Sequence, residues 1–591
     1  MRGSAKNSTV RHTRALALIL VLVLAVAGQI LNAREHNGQS ENSVSPQTTL
    51  RATSEAVLVP VVVTDAGGKP VTGLKREDFA IYADGKPQTI ANFEEVQVTQ
   101  TSAGTEPHPN RHSNYIADSK SSARPVILLI DYLNSRITDQ RKVRDQILHF
   151  LDTQLESEQP VELFFLTDKG LRLLQSFTTS TADLKAAVLG LREGVSPADR
   201  SASDQQLVAD QASVLPTNKA AAVHRIQTMI VQADRFEGTL QTDAIRTTLD
   251  AMSALASGFG GIPGRKNLIW LTAGFPFQVT DPDALGGSNS NFTVRYQQAW
   301  QKLSDANVAV YPVDMRGLFD SQWNLAAPDE ATDSASLHAQ YGLEPQIVDP
   351  QVSVGLTLAA FARETSGSVC VNNNDLPKCL ASAARDGENN YFLAFSVSPE
   401  IHKKGWHTLK VVVDKQRGLK VRSREGFFVG NEKAPAANQT PGEAVLAAVR
   451  SPVPFTALPF SVEWVRQEPA SSANPSTRLT KNAYSPTAAG AVFRIALPPL
   501  AFAVDSSDSN HVQLDIAAVA IDDASGKPAG DYAQEMTAHL KPESLGKIES
   551  NGLTFENAIA LPVGSFQVRF VIRDAISGKV GSVDAPIQVA P

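Results

Sequence analysis

Val126-Ile127-Leu128-Leu129-Ile130-Asp131-Tyr132-Leu133-Asn134-Ser135 is the stretch on which the fold turns. Its first five residues are all apolar, the pattern of a strand buried on both faces. Helical spacing follows at Val143, Ile147, Phe150, Leu151 and Leu155. Outward from there the pattern repeats. Residues 161–166 read as another buried strand, with 171–177 as its hairpin partner, and 181–191 reads as a helix. Residues 244–255 read as a helix and 267–271 as a strand, followed by helix 294–305, strand 308–313, helix 354–365 and short strand 368–371. This alternation predicts the α/β class: a doubly wound, mainly parallel sheet with helices on both faces, spanning 124–430. Polar stretches near 193–237 and 317–351 are expected as insertions, the first with an amphipathic helix at 220–235. Residues 391–397, 406–413 and 419–422 read as strands that add an edge to that sheet or begin a separate β unit.

On either side the pattern turns to short alternating strands. Residues 55–98 are expected to form a small β module, with a hairpin turn at Asp84-Gly85. Polar segments 34–54, 99–123 and 431–445 read as linkers, and 446–591 as a C-terminal β domain of the sandwich type. A strand ending in Asp-Ala and turning through Gly-Lys occurs three times, in 62–70, 520–528 and 571–579. It is either a repeated ligand loop or the turn chemistry that β-sandwiches need.

Composition narrows the function. The chain has 591 residues, 42% hydrophobic and 19% charged, so it can bury ordinary cores. A net charge of −7 argues against a nucleic-acid partner. Two cysteines and scattered histidines argue against zinc or iron–sulfur chemistry. Neither a Gly-x-Ser-x-Gly elbow nor a nucleotide-binding Gly-x-x-x-x-Gly-Lys-Ser/Thr loop is present, and Gly258–Gly261 reads as a helix stop. Arg2, Lys6, Arg11 and Arg14 precede an uncharged stretch from 15 to 33, with Ala25-Val26-Ala27 as a cleavage signal. Residues 1–33 are expected to be a secretory signal peptide or N-terminal anchor. The remainder is expected outside the cytoplasm: secreted, periplasmic or envelope-associated, touching membrane only through an uncleaved anchor. In that compartment Cys370 and Cys379, nine positions apart, are expected to close a disulfide. Two buried free thiols or a redox pair are the alternatives.

The order of motifs resembles the bacterial von Willebrand factor A-related domain family of exported proteins. The carriers are Gly73-Leu74-Lys75-Arg76-Glu77-Asp78-Phe79, the opening stretch through Ser135, and Gly264-Arg265-Lys266-Asn267-Leu268-Ile269-Trp270-Leu271-Thr272-Ala273-Gly274-Phe275-Pro276. Val310-Tyr311-Pro312-Val313-Asp314 and Arg422-Ser423-Arg424-Glu425-Gly426-Phe427 complete the set. The resemblance implies a Mg²⁺-dependent adhesion site at the carboxyl end of the sheet, where the ion grips an acidic group of a partner. It would place Asp131, Ser135 and Thr239 at the metal, with Asp243 contributing through water. The set is degenerate. Leu133 stands where a serine is usual and Ala273 where an aspartate is usual, and neither coordinates a metal. A metal-free remnant with no cofactor is therefore expected, with a much weakened Mg²⁺ site as the alternative. The implied role is non-enzymatic: protein binding, in adhesion or envelope assembly. The partner is expected on loops 131–135, 238–242 and 273–277, with Asp131, Asn134, Ser135, Thr239, Thr242, Asp243, Ala273 and Phe275 as contact residues. The competing expectations are an enzyme with an unrecognised site and a passive envelope spacer.

Overall fold

The computed structural model describes residues 56–97, 111–114, 125–155, 159–214, 220–262, 264–274, 290–317, 350–386, 389–397, 405–413, 418–429, 440–469, 489–499, 501–505, 508 and 510–590. The N-terminal segment 1–33, linker 34–54, most of insertion 317–351 and Phe275 lie outside them. Four strands open the described chain: β1 (Ala56–Thr64), β2 (Phe79–Ala83), β3 (Lys86–Gln88) and β4 (Ile90–Gln97). β5 (Arg111–Ser113), β6 (Val126–Asp131), β7 (Val161–Thr167), β8 (Gly170–Thr178), β9 (Lys266–Thr272) and β10 (Val308–Asp314) follow. Then come β11 (Asn389–Ser396), β12 (Gly405–Val413), β13 (Lys420–Ser423) and β14 (Gly426–Val429).

The expected doubly wound, mainly parallel sheet is not the architecture of this chain. Among the described residues strands outweigh helices, 41% to 34%, and they form five mostly antiparallel sheets. Among the described residues, parallel ladders are confined to β10-β9-β6-β7, with one isolated parallel bridge from Val313 to Cys370, and that sheet too ends in an antiparallel edge, β8. The physical reason is visible in the burial. β6, β9 and β10 are buried at every position, as parallel strands covered on both faces must be. β12 instead alternates buried and exposed residues through its middle, the signature of an antiparallel strand with one wet face. The conspicuous apolar runs belong to a minority sheet.

The strands of 389–429 join the N-terminal module. One sheet runs β13-β1-β11-β4 and a second β14-β12-β2-β3. Val59 pairs with Leu393 and Ile81 with Val411, across the boundary drawn at 99–123. Val59, Val61, Phe79, Ile81, Leu393, Phe395 and Phe427 form the core between them.

Helices cover both faces of the five-stranded sheet. On one face lie α1 (Ile137–Thr153), α2 (Thr181–Leu189) and, later in the chain, a helix at Leu376–Arg385; Ile147, Phe150, Leu184 and Leu380 pack there on Leu128, Ile130 and Leu163. After α3 (Pro197–Val214), α4 (Ala220–Phe259) supplies Met252, Leu255 and Phe259 to the other face. α5 (Ser290–Asp305) and α6 (Pro350–Glu364) complete it, and the Leu376–Arg385 helix is α7.

The C-terminal region contains α8 (Pro441–Arg450), β15 (Ser461–Pro469), β16 (Ala489–Leu497), β17 (His511–Asp522), β18 (Pro528–His539), α9 (Pro542–Asn551), β19 (Leu553–Leu561), β20 (Gly564–Asp574) and β21 (Val580–Val589). Two four-stranded sheets, β19-β16-β15-β5 and β18-β17-β20-β21, enclose a core that includes Phe460, Phe493, Tyr532 and Phe570. β5 belongs to the segment read as a linker, yet it pairs with β15. Asn114 fastens it there, donating to Phe455 O and Leu458 O and accepting from Phe460 N.

Candidate functional site at the carboxyl end of the parallel strands

β6 ends on Asp131, and its side chain shares a face of the sheet with Ile127 and Leu129. Leu129 is paired in register with Trp270 on β9, so the indole lies beside the same face. The consequence is a closed carboxylate. Asp131 is fully buried. Its Oδ2 accepts from Trp270 Nε1 at 3.0 Å and from Asn134 Nδ2 at 2.8 Å, and its Oδ1 accepts from Asn134 N at 3.0 Å. Burial raises its pKa, while hydrogen bonds from Asn134, Trp270 and Thr272 pull the other way.

The rest of the turn is bound as tightly. Ser135 Oγ donates to Asp131 O and accepts from Ala273 N. Asn134 Nδ2 also reaches Thr248 Oγ1 at 2.9 Å, and that hydroxyl donates to Ala244 O. Gln140 holds the other side, donating to Ser135 O and Gly194 O and accepting from Gly194 N. At the end of β10, Asp314 is neutralised by its neighbour Arg316, with Nε and Nη2 at 2.9 and 2.7 Å from its two oxygens. Each of these carboxylates is already committed inside the protein.

Asp131, Asn134, Ser135 and Ala273 are therefore brought together, and all four are buried. Thr239, Thr242 and Asp243 are not brought to them. Residues 238–242, read as a loop, lie within the 40-residue helix α4. Thr239 is exposed and its hydroxyl donates to Arg235 O one turn back. Asp243 is exposed beside Arg246. The threonine that reaches this site is Thr248, nine positions further, about 13 Å along the helix axis. Sequence reading missed Thr248, Trp270 and Gln140. Thr248 had a signal: it sits at helical spacing with Ala244, Ala251 and Leu255, on the face turned to the sheet. Trp270 had none beyond the alternation along β9, because its partner is set by the register of two strands distant in sequence.

Cys370 and Cys379 stand at disulfide distance, with Cα atoms 6.1 Å apart. Cys370 N donates to Pro312 O and its carbonyl accepts from Asp314 N, so the pair ties the start of α7 to the edge of β10. Among the described residues, no group of three or more His, Cys, Asp or Glu side chains stands in metal-ligand geometry, and no helix is long and apolar enough to cross a membrane. No protein-family model matches the chain, and no curated protein matches it. The resemblance to the von Willebrand factor A-related family rests on the quoted motifs alone.

Proposed function

We infer that this chain is an exported, non-enzymatic protein-binding component, serving adhesion or the assembly of other proteins in the envelope, and that it works through contact surfaces without a divalent ion. The observation that carries the reading is where apolar surface is left outside. Nine large apolar side chains are exposed among the described residues, and five of them, Leu189, Val195, Leu207, Val214 and Phe236, fall within 189–236. α3 and the first half of α4 bury only a small cluster of their own, Ala212, Ile226 and Ile230 with Val208 and Val223 packed on it. Exposed apolar side chains gathered in this one stretch of sequence, on α2, α3, α4 and the segment between α2 and α3, favour a docking role. Thr239, Thr242 and Asp243 lie on α4 within two turns of Phe236.

The committed carboxylates of Asp131 and Asp314 support a metal-free mode of binding. Export is supported by the basic lead and uncharged stretch at the N-terminus and by the paired cysteines, which suit an oxidising compartment. The test is pull-down from envelope extract with the whole exported chain and with a Leu207→Ser, Phe236→Ser variant. The reading expects a stoichiometric protein partner that the variant loses while keeping its unfolding midpoint. Retention of that partner by the variant contradicts the placement. Absence of any stoichiometric partner contradicts the reading and favours a passive spacer.

A further inference from the structure

Two histidines face one another at the end of the β17–β18 ladder. His511 and His539 are register partners, and their rings stack with centroids 4.9 Å apart. Asp508 lies against the same end. Its Oδ2 is 3.9 Å from His511 Nδ1 and its Oδ1 is 3.6 Å from His539 Nε2. The loop carrying Asp508 is fixed at its base, where Asp505 and His511 exchange both backbone hydrogen bonds and Asp508 N donates to Asp505 O. Asn510 O accepts from Leu540 N, which ties the loop to the strand bearing His539.

The distances are informative. At 3.6 and 3.9 Å the carboxylate is too far from either ring for a hydrogen bond. Bonds of about 2.0–2.1 Å at tetrahedral angles put neighbouring ligands of one zinc ion about 3.3 Å apart. Each ring thus stands a few tenths of an ångström beyond that spacing from the carboxylate, through a different oxygen, and the three side chains must turn before one ion can meet all three. They do not form a ready-made site. The adjustment needed is rotation of side chains at the surface, because those of His539 and Asp508 are 56% and 62% exposed. His511, at 19%, is the held member.

We propose that Asp508, His511 and His539 form a surface site for a late first-row divalent metal ion of the zinc class, with water in the fourth position. Two imidazole nitrogens and one carboxylate oxygen are a donor set suited to such ions, whereas Mg²⁺ and Ca²⁺ take all-oxygen sets. The bound ion would clip Asp508 to the end of the ladder. The proposal is independent of the docking role above. The competing account is a cross-strand ring pair that contributes packing alone.

Calorimetric titration and thermal unfolding of the whole chain with Zn²⁺ separate the two. The proposal expects saturable one-to-one binding and a raised midpoint. His539→Gln abolishes both, and Asp508→Asn weakens binding by an order of magnitude or more. Each variant keeps the zinc-free midpoint of the parent, since the replaced side chain is exposed. With Cu²⁺ as a probe, paramagnetic resonance gives a two-nitrogen pattern in the parent and a one-nitrogen pattern in His539→Gln. No saturable binding, equal binding by parent and His539→Gln, or a Cu²⁺ spectrum unchanged by that substitution would each overturn the proposal.

Discussion

At the end of α6, Glu364 is a carboxyl group held in an unfavourable place. Burial, reinforced by the Glu425 charge, pushes its pKa up to about 7, against the pull of Arg363 and Arg424. The folded protein therefore keeps a proton here that the unfolded chain releases near the ordinary glutamate value. Between about pH 4.5 and 7 folding takes up this proton, so its contribution to stability falls as pH rises through that window and is flat above it. Asp131 and Glu162, also raised by burial, act in the same direction, so the slope of the parent alone does not isolate Glu364. The difference from Glu364→Gln does. The variant should gain on the parent by roughly 2–3 kcal/mol between pH 5 and pH 7.5 in urea unfolding. Parallel profiles across that range would contradict the assignment. Asp131 shows how much of the candidate site was legible residue by residue. Its position at a strand end, and the missing carboxylate at Ala273, were plain in the sequence. That Trp270 would occupy one of its oxygens was not, because that contact depends on register and not on spacing.

At the scale of elements, the sequence was most informative where one physical cause dominates. The buried runs of β6, β7, β9 and β10 were legible because parallel strands covered on both faces admit almost nothing else. The three Asp-to-Lys turns were legible too. In each, the Asp N–H donates to the Lys carbonyl, at 2.9 Å, and a glycine takes positive φ: Gly68 at 85°, Gly526 at 64° and Gly578 at 74°. Their carboxylates cap their own turns, Asp65 from Lys69 N, Asp522 from Ser525 N and Asp574 from Ile576 N, which favours turn chemistry over a ligand loop. α4 was misread as helix, loop and helix because Gly238-Thr239 resembles a break. A mid-helix glycine costs about 1 kcal/mol, and the packing of Ile245, Leu249, Met252 and Leu255 on the sheet outweighs it. Gly261 is a different case. It abuts the C-terminal domain so closely that an added Cβ would lie 1.9 Å from Thr456 O, while its N–H donates to Thr456 Oγ1. Around Gly238 an added Cβ would meet nothing within 4 Å. Gly238→Ala should therefore stabilise the chain by about 0.5–1 kcal/mol, and Gly261→Ala should destabilise it by about 2 kcal/mol or more. Equal effects of the two substitutions on the unfolding midpoint would show that the close approach at Thr456 is not needed.

For the whole molecule, what escaped sequence reading is the route of the chain. β1–β4 wait some 300 residues for β11–β14 to complete their two sheets, and β5 crosses early into the C-terminal sandwich. Local pattern identifies such strands but not their partners, since antiparallel pairing over that separation leaves no trace in spacing. An α/β block was therefore read as the dominant architecture when it is one sheet of five. Within that block the Asp131 carboxylate acts as a latch between β6, β9 and the Asn134 turn. The most direct test is urea unfolding of the parent and of Asp131→Ala, each with and without millimolar Mg²⁺ at matched ionic strength. The latch predicts a parent midpoint indifferent to Mg²⁺, and a variant less stable by about 3 kcal/mol in both conditions, because Trp270 and Asn134 lose a buried acceptor. A Mg²⁺-dependent rise in the parent that disappears in the variant would contradict it.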